Sequence, residues 1–171
     1  RRPQYCRVDG HAASPGNEVN FRLGLPDGWN GKFLFQGVGG LGGTIANLDS
    51  SLTRGYASAS TDTGHLASDP NWAANRAKEI DYGYRGTHVT AVASKAIAAA
   101  FYARPVQYAY FNGCSNGGPA QIGQRHDLHH AITLFVQADD LLASLVQLDQ
   151  SLAAGIMFAH PIKILCFAEI V

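Results

Sequence analysis

Val106-Gln107-Tyr108-Ala109-Tyr110-Phe111-Asn112-Gly113-Cys114-Ser115-Asn116-Gly117-Gly118-Pro119 is the stretch that decides the fold. Val106 to Phe111 carries Val, two Tyr and Phe in six positions, a composition suited to a pleated, buried strand. Pro119 to Arg125 reads as a helix with proline in its first turn, where the missing N–H costs nothing. Between them, Gly113-Cys114-Ser115-Asn116-Gly117 fits G-x-S-x-G. The pattern alone recurs by chance, but a strand before it and a helix after it are the setting of a nucleophile elbow. Such a turn needs small residues two before and two after the nucleophile, and Gly113, Gly117 and Gly118 supply them. Ser115 is expected to stand above the sheet near a helix N-terminus, whose partial charge and free N–H groups favour a developing oxyanion. A glycine-rich strand–helix turn with a capping serine is the plainer reading of the same residues.

Working outward, Asn17 to Leu25 alternates apolar and polar residues and stops at Pro26. Asp27-Gly28 and Asn30-Gly31 are turn signals. Lys32 to Gln36 is a short strand, Thr44 to Leu52 a short helix, Tyr56 to Thr61 a strand and Asp62 to Pro70 a loop. Ile80 to Ala103 is a long Ala-rich helix, with Val89, Val92, Ala96 and Ala99 at helical spacing. Ile132 to Val136 is a strand, Leu141 to Leu152 a helix and Ile162 to Ile170 a last strand. This alternation predicts a single α/β domain over 1–171, with a mostly parallel sheet and helices on both faces. The site then lies at the carboxyl ends of the strands, where the loops after Gln36 and Asn112 stand out.

The first of these loops, Gly37-Val38-Gly39-Gly40-Leu41-Gly42-Gly43, carries five glycines in seven residues. It is placed to give the second oxyanion donor: an N–H of Gly39 or Gly40 beside that of Asn116. Gly37, Gly39 and Gly42 also satisfy G-x-G-x-x-G, with Asp62 twenty residues beyond Gly42, the signature of a dinucleotide-binding domain. Against it, the following segment is short and polar (Asn47, Asp49, Ser50, Ser51), and the second glycine cluster is left without a role.

The 171 residues are 46% hydrophobic and 15% charged, with 13 basic residues balancing 13 acidic ones. That is a globular composition. Lys and Arg do not cluster, so no nucleic-acid partner is expected. No apolar run reaches the roughly 20 residues that span a bilayer, so no membrane partner is expected either. The first residue is Arg1 and no signal peptide is visible, which reads as a processed form or a piece. Cys6, Cys114 and Cys166 are an odd number of thiols.

Leu25-Pro26-Asp27-Gly28-Trp29-Asn30-Gly31-Lys32-Phe33-Leu34 with the Gly37–Gly43 loop resembles the tannase and feruloyl esterase family. So do Gly55-Tyr56-Ala57 through Thr61-Asp62-Thr63-Gly64-His65, then Asp81-Tyr82-Gly83-Tyr84-Arg85-Gly86-Thr87-His88, then Tyr110 through Gly118. Four blocks in one order and spacing, over about Tyr5 to Asp127, are far more specific than any single motif. The resemblance implies a serine carboxylic ester hydrolase of the α/β-hydrolase type, secreted or periplasmic. It implies small-molecule aromatic acid esters as substrates, feruloyl, galloyl or similar, through an acyl-enzyme on Ser115. It also implies a disulfide from Cys114 to a cysteine after the catalytic histidine. The family carries a lid domain, often with a structural calcium, between nucleophile and histidine. The chain ends 56 residues after Ser115 without a His-Cys dipeptide. The lid and the C-terminal part of the family fold are therefore expected to be missing, and no cofactor, calcium or other metal is expected. Pro119 stands where a basic residue is expected, and Thr44 where some members have a cysteine partnering Cys6.

In α/β-hydrolase order the acid and then the histidine follow the serine. Asp139, or its neighbour Asp140, and His160 fill that order, although His160 precedes the last strand, and a surface loop is its simpler reading. His126, His129 and His130 read as a polar helix end rather than a metal site. His65 and His88 read as structural or pocket-wall residues, and Trp29 and Trp72 as packing residues. Two further outcomes stay open: a catalytically incomplete fragment or non-catalytic ligand-binding remnant, and the dinucleotide-binding domain.

Overall fold

The computed structural model describes residues 4–115 and the strand Lys163–Phe167. The helix 119–125, the strand 132–136 and the helix 141–152 expected from the sequence lie outside the described residues, as do Asn116, Asp139 and His160.

The sheet has six strands: β1 (Tyr5–Ser14), β2 (Asn17–Pro26), β3 (Lys32–Gln36), β4 (Ala57–Thr61), β5 (Tyr108–Asn112) and β6 (Lys163–Phe167). Their order is β5-β3-β4-β2-β1-β6. β3 pairs in parallel with β4 and β5. The ladders β1–β2, β1–β6 and β2–β4 are antiparallel. The described sheet is thus mixed, and its parallel part is the trio β5-β3-β4 that bears the two glycine loops. β1 has no counterpart among the sequence expectations. Its apolar residues on one face are Cys6, Val8 and the small Ala12, with Arg7, Asp9 and His11 between them, a weaker signal than the Val-Phe-Leu-Leu series of β2.

Side chains alternate across each strand, and both faces are covered. On one, Val8, Val19, Phe21, Leu23, Phe33, Phe35, Ala57 and Ala59 form one cluster with Ala91 and Ala98. The two alanines belong to α3 (Gly86–Tyr102). The short side chains on that helix let it lie close to the sheet. On the other face, α1 (Asp49–Thr53) brings Leu52 against Gly24, where a Cβ would come within 2.7 Å of the leucine. There Ser51 Oγ is 2.8 Å from Ser58 Oγ, and Ser58 Oγ donates to Leu34 O. The helix expected from Thr44 forms only from Asp49.

The long helix expected over Ile80 to Ala103 is one π-turn (Asp81–Arg85) followed by α3, and a short unexpected helix, α2 (Arg76–Ile80), runs directly into it. Asn75 caps α2 through its side chain, which accepts from the N–H groups of Ala77 and Lys78. The π-turn sets Asp81 fully buried, accepting from Ser14 Oγ (2.6 Å), Asn17 Nδ2 (2.9 Å) and Arg85 Nε (2.5 Å). A buried carboxylate holds its place only with such partners. Here they tie the helix to the β1–β2 turn.

Candidate active site

β3 connects through α1 to β4 on one side. β4 then connects through α3, on the opposite face, back past β3 to β5. The strand order reverses between β3 and β5, and the crevice at their carboxyl ends is the usual binding place in such sheets. Both glycine loops open there. Phe35 and Phe111 sit opposite each other in the register, their rings stacked at 5.6 Å. Gly37 N donates to Asn112 O (2.8 Å), and Asn112 Nδ2 to Gln36 Oε1 (2.9 Å). The start of the glycine loop is thereby fixed to the start of the elbow.

Ser115 is exposed and has φ +57°, one of three non-glycine residues with positive φ among those described. A serine side chain is strained there, a strain of the kind that the expected nucleophile elbow carries. Cys114, beside it, is an exposed free thiol. The expected Cys114 disulfide is therefore not formed among the described residues. Cys166 lies in the register of β6 opposite Cys6 of β1, at the far edge of the sheet from β5.

The glycine loop lies against the elbow, since a Cβ on Gly39 would come within 3.4 Å of Cys114 O. Gly39 to Gly42 form a turn closed by Gly42 N donating to Gly39 O (3.3 Å). Gly40, Gly42 and Gly43 all have positive φ, which a glycine adopts without the steric cost other residues incur. Among the described residues the N–H groups of Gly39 and Gly40 have no hydrogen-bond acceptor. They are spare donors on an exposed segment touching the elbow, which is the arrangement an oxyanion needs.

The loop is fastened from behind. Gly43 N donates to Asp62 O (2.9 Å) and Ala67 N to Gly43 O (3.0 Å). Asp62 in turn accepts from Gly64 N (2.9 Å) and from the Asn20 backbone N–H (3.2 Å) and side-chain amide. Burial pushes its carboxyl above the usual carboxylate range, with those hydrogen bonds opposing. His65 Nε2 lies 2.9 Å from Leu41 O, and Tyr82 Oη donates to Gly40 O (3.1 Å). His65 stacks on Trp72 at 4.0 Å, and Tyr82 packs against both rings. His65 and Trp72 are thus the structural residues the sequence suggests, and Tyr82 is a further one that only the π-turn reveals. Trp29 packs at the other end, stacked on Tyr102 at 4.1 Å with the Arg104 guanidinium over its ring.

The dinucleotide reading does not survive this geometry. It needs a helix opening directly from the third glycine, whereas α1 begins only at Asp49 and has five residues. Asp62 is occupied by Asn20 and Gly64 instead of facing a ribose. Among the described residues no group of three or more His, Cys, Asp or Glu forms a metal site, and no helix is long and apolar enough to cross a membrane.

Comparison with known proteins agrees with the geometry. An uncharacterized esterase of Xanthomonas campestris pv. campestris is 38% identical over 123 residues, 68% of this chain and 21% of that protein. The mono(2-hydroxyethyl) terephthalate hydrolase of Piscinibacter sakaiensis is 30% identical over 154 residues, 75% of this chain and 26% of that protein. The crystal structure of feruloyl esterase B from Aspergillus oryzae superposes with a TM-score of 0.62 at 29% identity, covering 67% of this chain and 24% of that one. The chain thus spans about a quarter of the length of these relatives. With the family model matching residues 6–126, the chain belongs to the tannase and feruloyl esterase family.

Proposed function

We propose that this chain carries the nucleophile and the oxyanion-binding loop of a serine carboxylic ester hydrolase acting on aromatic acid esters. The observation that carries the reading is Ser115 at φ +57° at the end of β5, beside a glycine turn with two spare N–H groups. Ser115 Oγ attacks the ester carbonyl, and its proton passes to a base. The tetrahedral oxyanion rests on N–H groups of Gly39 or Gly40 and of Asn116. Collapse expels the alcohol and leaves an acyl-enzyme, and water then releases the acid. Asp139 and His160 are the acid and base that chain order offers. The family resemblance favours feruloyl, galloyl or related esters and a secreted or periplasmic setting.

The test is release of ferulate or gallate from their methyl esters by the chain and by its Ser115→Ala variant. The reading expects hydrolysis that disappears in the variant and that exceeds hydrolysis of an aliphatic ester of equal size. Equal rates for the two proteins would overturn it. Absence of turnover in both, with Ser115 still reacting covalently with an activated ester or phosphonate, favours the second outcome left open by the sequence, an incomplete fragment.

A further inference from the structure

We infer that His65 and Tyr82 are positioning residues for the oxyanion loop: they hold its carbonyls so that its N–H groups turn toward Ser115. The inference rests on the esterase reading above and assigns a role to two side chains it does not use.

A trans peptide unit points its C=O and the next residue's N–H in opposite directions. The orientation of the loop's N–H groups is therefore decided by what captures its carbonyls. All three carbonyls of the turn are captured. Gly39 O accepts from Gly42 N, Gly40 O from Tyr82 Oη, and Leu41 O from His65 Nε2. By this rule Gly39 O sets the Gly40 N–H, Gly40 O the Leu41 N–H and Leu41 O the Gly42 N–H. Tyr82 thus fixes the peptide next to the Gly40 donor, and His65 acts on that donor through the Gly42 N–H that holds Gly39 O. With positive φ at Gly40, Gly42 and Gly43, the backbone has no steric preference of its own, and a flipped Gly39–Gly40 or Gly40–Leu41 peptide would put a carbonyl where the oxyanion must sit. Without the two side chains the Gly39–Gly42 turn, although anchored at both ends of the loop, would be closed only by its own 3.3 Å Gly42 N–H to Gly39 O bond.

The histidine can play this part only as a donor at Nε2, because Leu41 O accepts. Its Nδ1, buried, has no hydrogen-bond partner among the described residues, so Nε2 is the nitrogen through which the ring is held. Trp72 stacks on one face of that ring, and the π-turn delivers Tyr82 to the next carbonyl. The cluster of Trp72, His65 and Tyr82 is thus a clamp behind the loop, reaching it through hydrogen bonds to carbonyls and leaving its N–H side open.

The test compares the chain with Tyr82→Phe, His65→Leu and His65→Gln, the last keeping an amide donor near the Nε2 position. Two readouts are taken on folded protein. One is hydrogen exchange of the Gly42 and Gly43 amides. The other is the rate at which a fluorophosphonate modifies Ser115. Loss of one such hydrogen bond is expected to speed exchange about fivefold in Tyr82→Phe and His65→Leu, with recovery in His65→Gln. Ser115 modification should slow about tenfold in the same two variants and recover in the third. Unchanged exchange would overturn the clamp, whatever the labelling. Faster exchange with unchanged labelling would show a purely structural role and would overturn the positioning claim. If Ser115 of the unmodified chain does not react, the esterase reading fails, and exchange alone still decides whether the clamp exists.

Discussion

Two residues of the site occupy backbone conformations their surroundings impose. Ser115 sits at positive φ without being glycine, and the parallel register of β3 and β5 beneath it leaves little freedom to relax. Gly42 is the converse case. Its φ is +70°, and an added Cβ would collide with Thr63 Oγ1. Gly42→Ala is therefore expected to lower stability by about 1–3 kcal/mol, from strain and overlap together. Gly28→Ala, with open space around it and no positive φ, should change stability by less than about 0.5 kcal/mol. Urea denaturation of the two variants separates them, and equal midpoints would contradict the description of the loop. The sequence reveals part of this: five glycines in seven residues announce a tight loop. The contact that makes Gly42 irreplaceable lies with Thr63, a partner that only the fold brings near.

Among the elements, β3 and β5 were legible from short apolar runs bounded by Gly, Asn or Pro, and β4 from small, β-capable residues between Gly55 and Asp62. β4 is buried throughout, whereas β5 exposes Tyr108 and Tyr110. β3 is found where expected, and β4 and β5 within two residues. β1 was not legible, since its buried positions include small or sulfur-bearing side chains and its outward face carries a charged network. Asp9 accepts from Arg7 Nε (2.7 Å) and from Arg22 Nε (2.8 Å), its partner in the β2 register. The π-turn was also hidden, because Asp81-Tyr82-Gly83-Tyr84-Arg85 has ordinary helical spacing. Its identity follows from the buried partners of Asp81, two of which lie more than sixty residues away. The network around Asp9 supports a pH prediction. Partial burial pushes its carboxyl up, but the hydrogen bonds and charges of Arg22 and Arg7 outweigh it and hold it below 3.8. A carboxylate depressed in the folded state contributes stability above its unfolded pKa and loses it as pH falls through the folded value. Asp9→Asn should cost about 0.5–1 kcal/mol at pH 7, given how exposed the pair is. The gap to the unmodified chain should narrow below about pH 4. A gap that persists unchanged at pH 3 would contradict this.

For the whole molecule, the reversal of strand order between β3 and β5 unites the observations. It places the Gly37–Gly43 loop and the Gly113–Ser115 turn at one crevice, although Gly43 and Gly113 are 70 positions apart in the chain. Sequence order suggested both loops from their glycines, but their adjacency follows from topology, through Gly37 N to Asn112 O and the closeness of Gly39 to Cys114 O. The clamp behind the loop was less legible, since His65 and Tyr82 belong to separate sequence blocks that meet only across the π-turn. The central claim is that this crevice activates Ser115. Treatment with a fluorophosphonate, followed by mass-spectrometric location of the adduct, tests it most directly. The account predicts a single adduct at Ser115, absent from the Ser115→Ala variant and from urea-unfolded chain; no adduct on folded chain, or one that survives unfolding, would contradict it.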